Sequence, residues 1–473
     1  MGWNSRWLVC LLAFAALGVS ASTPDADLDT FIETELPRSA APGLAYARIK
    51  DGAVTAKGFG ETVGGSGERV TADTLFPIGS VTKSFTALAI VQLMEAGKLD
   101  LDDPVAQHLP AFADSPERKV TLRQLLNHTS GFSTVQGNSH HGDPEAPEVG
   151  LRNRAAEFAR IEPVNPPGAR WEYSNLNYQI LGAVIEHVSG ETYPDYVAAH
   201  IFAPLGMERS AVLVGAVPAG LATGHRPWFG GVRPFEQSER SAINAPAGGI
   251  VSSANDMARY LSMWINGEDD IISAKSKTMM LEPSAPASPG YGLGWSIDQV
   301  DGTTYHTGLV PGAETLAMFD LAVGKGVVVM VNANSGLGFA DTWYLIGGAG
   351  ARAMGEPHTD DGSRWGPKFI YLSVILAPLL FLLLAFISWR GRTNLQAKRN
   401  NIGGKFSLWF PFAAMAALAG FLLLILPQMF GGSLATLRLY QPDFAWGLIA
   451  AAILGPAWAV LRLVLAHTTR SPG

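Results

Sequence analysis

The stretch that decides the fold is Phe76-Pro77-Ile78-Gly79-Ser80-Val81-Thr82-Lys83. Apolar residues lead into Gly79, and a long apolar helix is predicted from Ser80 to about Ala96. Lys83 lies three residues after Ser80, which on a helix is one turn along the same face. The hydroxyl and the amine are therefore predicted to lie within reach of each other at a helix N-terminus, where backbone N–H groups are unpaired.

This pairing predicts nucleophilic chemistry at Ser80. A serine hydroxyl is a poor nucleophile unless a nearby base takes its proton, and a lysine is such a base when burial and neighbouring cations lower its pKa. The Ser-x-x-Lys pattern alone is weak evidence, because an N-cap serine followed by a solvated lysine is more common. The residues behind it, 85–94, are apolar nearly all round and predict a buried central helix.

A second segment, Tyr173-Ser174-Asn175, follows a turn at Pro166-Pro167-Gly168. In a short loop, the phenol of Tyr173 and the amide of Asn175 would point into one cleft. A phenol near two cations can lose its proton and carry it between the serine and the leaving group, and an amide can hold a substrate carbonyl. Taken alone, Tyr-x-Asn is more often an ordinary helix start.

A third segment, His306-Thr307-Gly308, is predicted to lie on an inner strand. Gly308 would let a substrate backbone approach closely. The N–H of Leu309 would then pair with that of Ser80 as two donors to a developing oxyanion. A lone His-Thr-Gly triplet is very weak evidence.

Composition and charge restrict the remaining possibilities. The 473 residues carry a formal charge of −7, so no nucleic-acid partner is expected. From Asp360 onward there are 10 Lys and Arg against 3 Asp and Glu, whereas the preceding part has 24 against 38, which indicates that the two parts face different compartments. The only cysteine is Cys10, which excludes a disulfide framework and, because Leu8-Val9 precedes it, disfavours lipid attachment.

The pattern of the chain predicts an α/β (α+β) domain with an antiparallel sheet built from both ends of the sequence, flanked by helices, with an inserted helical lobe. Thr121 to Gln124 is a capping-box helix start, 221–245 is predicted to be a loop, and His140-His141 is predicted to lie in a solvated loop rather than a metal site. The predicted strands are 43–50, 53–59, 291–297, 303–307, 315–319 and 327–331, and the predicted helices are 25–36, 178–186, 193–202, 255–261 and 340–354.

Both ends of the chain indicate a membrane protein. Residues 1–21 are typical of an export signal, which we expect to be cleaved; residues 22–357 form the predicted exported domain and 358–368 a linker. Three uncharged runs are each long enough to cross a hydrocarbon layer of about 30 Å. They lie in the predicted transmembrane helices 369–389, 408–429 and 444–463, of which the third extends beyond its uncharged run (444–461) to include Arg462.

The loop between the first two runs contains Arg390, Arg392, Lys398, Arg399 and Lys405 and no acidic residue. The positive-inside rule places this loop in the cytoplasm and the domain outside. We therefore expect a bacterial-type inner membrane protein with a periplasmic domain.

Together these segments resemble the serine β-lactamase and penicillin-binding-protein superfamily, in particular the class C β-lactamase-like serine hydrolases. The resemblance covers about residues 25–355 and rests on the order of the motifs as much as on each one. The motifs are Phe76 to Lys83, Leu125-Leu126-Asn127-His128-Thr129-Ser130-Gly131, Tyr173-Ser174-Asn175 after Pro167-Gly168, Ala247-Gly248-Gly249, Tyr291-Gly292-Leu293-Gly294-Trp295, His306-Thr307-Gly308 and Pro311-Gly312.

The resemblance implies acyl transfer through an ester on Ser80. It implies that Lys83 and Tyr173 share the base role, that Asn175 binds substrate, and that the N–H groups of Ser80 and Leu309 form an oxyanion hole.

By the same resemblance, His306, Thr307 and Gly308 are expected to contact the substrate. Class C β-lactamases have lysine where this chain has His306, and a histidine is only partly charged near neutral pH. This difference favours esterase, D-aminopeptidase or DD-peptidase-like work over efficient β-lactam hydrolysis. No cofactor or metal is expected, and the expected partners are a small-molecule or peptide substrate and the bilayer. The alternative is a catalytically idle module that senses a cell-wall fragment.

Overall fold

The computed structural model describes residues 28–115, 118–139, 150–215, 217–235, 242–358 and 364–468. The predicted export signal with Cys10, the pair His140-His141 and residues 359–363 of the predicted linker lie outside the described residues.

The main sheet joins the two ends of the domain, as predicted. Its strands are antiparallel in the order β2-β1-β11-β10-β9-β8. Leu44 of β1 lies opposite Phe59 on one side and Val331 on the other, so the first strand of the chain pairs directly with the last. The strands are β1 (Gly43–Lys50), β2 (Ala53–Gly60), β8 (Ser296–Ile297), β9 (Thr304–Val310), β10 (Ala313–Asp320) and β11 (Lys325–Val331).

Alternate side chains of these strands enter two cores, because successive residues of a strand face opposite sides of the sheet. One face packs on the helical lobe and the other on the first and last helices of the domain. The domain helices are α1 (Leu28–Glu35), α2 (Thr82–Glu95), α3 (Val105–His108), α4 (Leu122–Leu126), α5 (Thr134–Gly137), α6 (Leu151–Phe158), α7 (Asn175–Ser189), α8 (Tyr193–Val197), α9 (Ala245–Gly248), α10 (Ala254–Ile265), α11 (Ala274–Met280) and α12 (Thr342–Met354). Helix α2 is buried along almost its whole length, and the capping box at Thr121 and Gln124 is present.

Two sequence predictions were wrong in part. The predicted loop 221–245 contains a hairpin, because Phe229 and Gly230 take positive φ and close a tight turn between its strands. The predicted strand 291–297 is reduced to two residues, because Gly294 at φ +83° turns the chain. The remaining strands are β3 (Phe76–Pro77), β4 (Ala211–Val212), β5 (Gly224–Trp228), β6 (Gly231–Phe235) and β7 (Ile250–Ser252).

The C-terminal part is a bundle of long apolar helices. Three of them are long and apolar enough to cross a membrane, Trp365–Arg390, Ile402–Met429 and Pro442–His467, and each contains one of the predicted runs. A short helix not predicted from sequence joins the second to the third. The segments are α13 (Trp365–Arg390), α14 (Arg392–Ala397), α15 (Ile402–Gly420), a π-helical turn (Phe421–Ile425), α16 (Leu426–Met429), α17 (Leu434–Tyr440) and α18 (Pro442–His467).

Candidate active site

Ser80 lies on a 3₁₀ turn, Gly79–Val81, between β3 and α2. The helix was predicted to begin at Ser80, but the α-helical hydrogen bonds begin at Thr82. Gly79 has φ +52°, a conformation that favours glycine, and this places the serine at the rim where the short strand turns into the buried helix.

Lys83 is fully buried and its Nζ is 3.1 Å from the Ser80 Oγ. The same Nζ is 2.7 Å from the Asn175 Oδ1 and 2.7 Å from the carbonyl oxygen of Ala247. Burial lowers the pKa of Lys83 well below its usual range. A neutral amine has two N–H donors and one lone pair. The amide and carbonyl oxygens can only accept, so they take the two donors, and the lone pair then faces the hydroxyl of Ser80.

Tyr173 forms a side-chain hydrogen bond with Ser80, and its ring centroid is 4.9 Å from the Lys83 Nζ. Burial raises the pKa of Tyr173 above its usual value, more than the hydrogen bond to Ser80 lowers it. The phenol is therefore neutral in the resting site. This changes the sequence-based mechanism, in which neighbouring cations make it a phenolate; here a neutral hydroxyl touches the nucleophile.

Asn175 is the first residue of α7, and its side chain connects Lys83 to a residue that the sequence analysis did not single out. Its Oδ1 accepts a hydrogen bond from Lys83, while its Nδ2 donates to the Asn138 Oδ1 at 2.7 Å. Asn138 follows directly after α5. The Asn175 amide, which was predicted to bind substrate, thus also contacts the buried Lys83.

The turn from Tyr173 to Asn175 is supported by His128, which also received no role from sequence. The Nδ1 of His128 accepts from the backbone N of Ser174 at 3.2 Å and from the Asn177 Nδ2 at 3.0 Å. Its ring lies 4.4 Å from that of Tyr173, and burial lowers its pKa well below the usual range. The only signal in the sequence was its place in the motif 125–131.

Strand β9 packs directly against the 3₁₀ turn that carries Ser80. A Cβ added to Gly308 would lie 1.9 Å from the carbonyl oxygen of Ile78, and one added to Gly79 would lie 2.7 Å from the backbone N of Leu309. Glycine at both positions allows this approach. The N–H of Leu309 is thereby brought next to the Ser80 turn, where the predicted oxyanion donor has to be.

His306 on β9 is buried and engaged on both ring nitrogens. Its Nε2 is 3.0 Å from the Tyr291 hydroxyl and its Nδ1 is 2.7 Å from the carbonyl oxygen of Thr307, which can only accept. Burial is the main cause that lowers the pKa of His306 to about 3, and Lys83 contributes to this only when its amine is protonated. The imidazole is neutral at physiological pH and offers no cation to a substrate carboxylate.

The Beta-lactamase family model matches residues 28–351, which is more than half of the chain. The chain belongs to the beta-lactamase family. The resemblance drawn from the sequence motifs is confirmed, and members of this superfamily are generally serine hydrolases.

Curated relatives of this beta-lactamase family chain include Protein flp of Staphylococcus aureus (strain MW2), 26% identical over 65% of this chain and 63% of the relative. The chain therefore spans less than two thirds of that protein's length. Penicillin-binding protein 4 of Amycolatopsis lactamdurans is 30% identical over 63% of this chain and 81% of the relative.

Solved structures with the same fold include an octameric penicillin-binding protein homologue from Pyrococcus abyssi, 31% identical with a TM-score of 0.61, over 70% of this chain and 77% of that one. A D-stereospecific amidohydrolase from Streptomyces sp. is 27% identical with a TM-score of 0.53, over 65% of this chain and 94% of that one. In this beta-lactamase family chain, the predicted residues from all three segments come together around Ser80.

Proposed function

We propose that this chain is a membrane-anchored serine hydrolase that forms an ester between Ser80 and the acyl part of its substrate. The neutral Lys83 takes the proton of the Ser80 hydroxyl as the Oγ attacks the substrate carbonyl. The N–H groups of Ser80 and Leu309 receive the oxyanion. Tyr173 gives its phenolic proton to the departing alcohol or amine and takes one back from the protonated Lys83, which returns Lys83 to its neutral form. Water then hydrolyses the ester, which releases the acid and restores the Ser80 hydroxyl.

The observation that carries this proposal is the arrangement around the Lys83 Nζ. Its two shortest contacts are to oxygens that can only accept, and its third is to the nucleophile. A structural lysine in a buried position is expected to have a carboxylate partner. Among the described residues, Lys83 forms no ion pair with a carboxylate, which fits the role of a base better than that of a structural cation.

We propose small esters, amides or cell-wall peptides as substrates. The neutral His306 would give a substrate carboxylate no permanent charge, which argues against efficient β-lactam hydrolysis. The likeness to the Streptomyces amidohydrolase supports amides with a D-configured residue. We further propose that Asn175, Thr307 and Gly308 line the substrate site, with the ring of His306 packed behind them.

We also propose that the three apolar helices anchor the protein, with the loop 391–401 in the cytoplasm and the domain outside. The basic residues of that loop and the length of the helices support this orientation.

A fluorophosphonate probe tests the proposal on the full-length protein. Wild type is expected to form a covalent adduct that is lost in Ser80→Ala and kept in Ser139→Ala, an exposed serine near the site. If neither wild type nor the control were labelled, the chain would be the binding module instead. A panel of p-nitrophenyl esters, D-amino-acid amides, D-Ala-D-Ala peptides and nitrocefin then ranks the substrates, and preferred turnover of nitrocefin would contradict the substrate class.

A further inference from the structure

The segment 431–440, which joins the second and third apolar helices and is here called the connecting segment, lies against the active site. The carbonyl oxygen of Gly431 accepts a hydrogen bond from the Asn138 Nδ2 at 2.7 Å. The membrane part of the chain thus reaches the site through Asn138.

The connecting segment is also fixed to the domain away from the site. The Arg226 guanidinium donates to the carbonyl oxygen of Leu439 at 2.8 Å, and the Asn334 Nδ2 donates to that of Tyr440 at 3.3 Å. Because these contacts hold the segment in place, the carbonyl of Gly431 has a defined position relative to the catalytic cleft.

A carbonyl oxygen can only accept, and this determines the orientation of two amides in series. The Gly431 oxygen requires the NH₂ of Asn138, which turns the Asn138 Oδ1 toward Asn175. That oxygen in turn requires the NH₂ of Asn175, which leaves the Asn175 Oδ1 facing the Lys83 Nζ. A reversed Asn138 amide would present its NH₂ to Asn175 and so favour the reversed Asn175 amide, and Lys83 would then meet an N–H group in place of an acceptor.

We propose that Asn138 is a positioning residue, through which the connecting segment of the membrane region orients Asn175 and thereby the base Lys83. The inference rests on the proposed function of Ser80 and Lys83. It makes the membrane region part of the active-site architecture as well as an anchor.

The proposal predicts a change in the pH dependence of acylation, because an acceptor oxygen beside Lys83 favours its charged form. The titratable groups that face Lys83 are Tyr173, Tyr178, His128 and His306. The two phenols have raised pKa values and the two imidazoles lowered ones, so none of them is charged near neutral pH.

The first test compares fluorophosphonate labelling rates of full-length variants across pH. Asn138→Ala is expected to label about tenfold more slowly, the effect of one lost hydrogen bond. The acid limb of its profile, meaning the decline of the labelling rate toward low pH as Lys83 gains a proton, is expected to move to lower pH. Asn138→Asp keeps an acceptor for Asn175 but adds a negative charge, so its acid limb is expected to move to higher pH. The series of contacts from Gly431 through Asn138 and Asn175 to Lys83 is here called the relay. Ser139→Ala, next along the chain and outside the relay, is the matched control and should behave as wild type.

The second test alters the connecting segment itself, at Gly431. Gly431→Ala strains a residue at φ +75° and places a Cβ 3.0 Å from the Thr134 Cγ2, which pushes the connecting segment away. Its effect should match that of Asn138→Ala, and the double variant should be no slower than the slower single one. Gly420→Ala, where an added Cβ meets nothing within 4 Å, is the glycine control.

The outcomes separate the two proposals. If wild type is not labelled at Ser80, the proposed function fails. If wild type is labelled but the acid limbs of both Asn138 variants stay where they are, or the effects at Asn138 and Gly431 simply add, the relay is wrong.

Discussion

At the scale of single residues, the reactivity of the site depends on an uncharged Lys83. Because burial lowers its pKa, the amine holds its proton less firmly than an exposed lysine does and becomes protonated as the pH falls through that lowered pKa. Acylation should therefore decline toward acid pH. Lys83→Ala is expected to slow fluorophosphonate labelling by about 10² to 10⁴ at all pH values and to remove this acid limb. A retained limb in Lys83→Ala would assign the titration to another group.

The phenol of Tyr173 has a different role from the amine. Its pKa is raised, so it acts as a neutral hydroxyl that passes a proton on. Tyr173→Phe is expected to reduce kcat for an amide substrate by about 10² or more while the fold survives, because the hydroxyl's hydrogen-bond partner is Ser80. Steady-state kinetics beside a melting curve would check this. Full activity in Tyr173→Phe would rule out the shuttle.

At the scale of elements, catalysis requires β9 to touch the turn that carries Ser80. In Gly308→Ala the added methyl would meet the Ile78 oxygen at 1.9 Å, so the strand must move and take the N–H of Leu309 with it. We expect a loss of about 10² in kcat, the usual effect of removing one oxyanion donor. Gly231→Ala, where the methyl meets nothing within 4 Å, is the matched control. Equal activity of both variants would contradict the assignment of the Leu309 N–H as an oxyanion donor.

The packing of α12 on β10 contains a titratable group. Glu314 is buried and accepts hydrogen bonds from the Ser335 N at 2.7 Å and the Thr342 Oγ1 at 2.6 Å, yet burial raises its pKa to about 7. The pKa of Glu314 in the folded protein is above the ordinary 4.5, so the protonated carboxyl stabilises the folded state. This stabilisation is complete below about pH 4.5 and is lost as the pH rises through about 7.

For Glu314→Gln we therefore expect a flatter pH profile of stability. The wild type should lose about 3 kcal/mol of unfolding free energy between those two pH values that the variant does not lose. Denaturation of both proteins over this range, in the same detergent, measures the difference. Parallel profiles would mean that the pKa of Glu314 is not raised in the folded protein.

The sequence predicted what local patterns determine. The hairpin of β1 and β2, the buried helix after Ser80 and the three apolar helices follow from periodicity and turn residues. It did not predict Asn138 or the connecting segment, because residues 293 positions apart in the chain meet there through one hydrogen bond. From sequence, Tyr173 could lose its proton and His306 is partly charged near neutral pH, whereas burial by distant elements keeps both side chains neutral.

At the scale of the whole molecule, the membrane helices and the hydrolase domain are expected to have one fixed relation to the bilayer. The only cysteine in the chain is Cys10, within the export signal that we expect to be cleaved, so new cysteines can report topology without background. Val300 is 96% exposed at a turn of the domain, and Ala397 is exposed in the basic loop between the first two apolar helices.

In intact cells, Val300→Cys is expected to react with a membrane-impermeant maleimide, and Ala397→Cys only after lysis. The physical reason is that the arginines and lysines of the loop hold it on the cytoplasmic side, while a chain crossing the bilayer once between the two positions leaves the domain outside. Labelling of both positions in denatured samples controls for expression. Protection of Val300→Cys in intact cells would place the domain in the cytoplasm, and the Ser80 site would then have to act on intracellular esters or amides instead of cell-wall peptides.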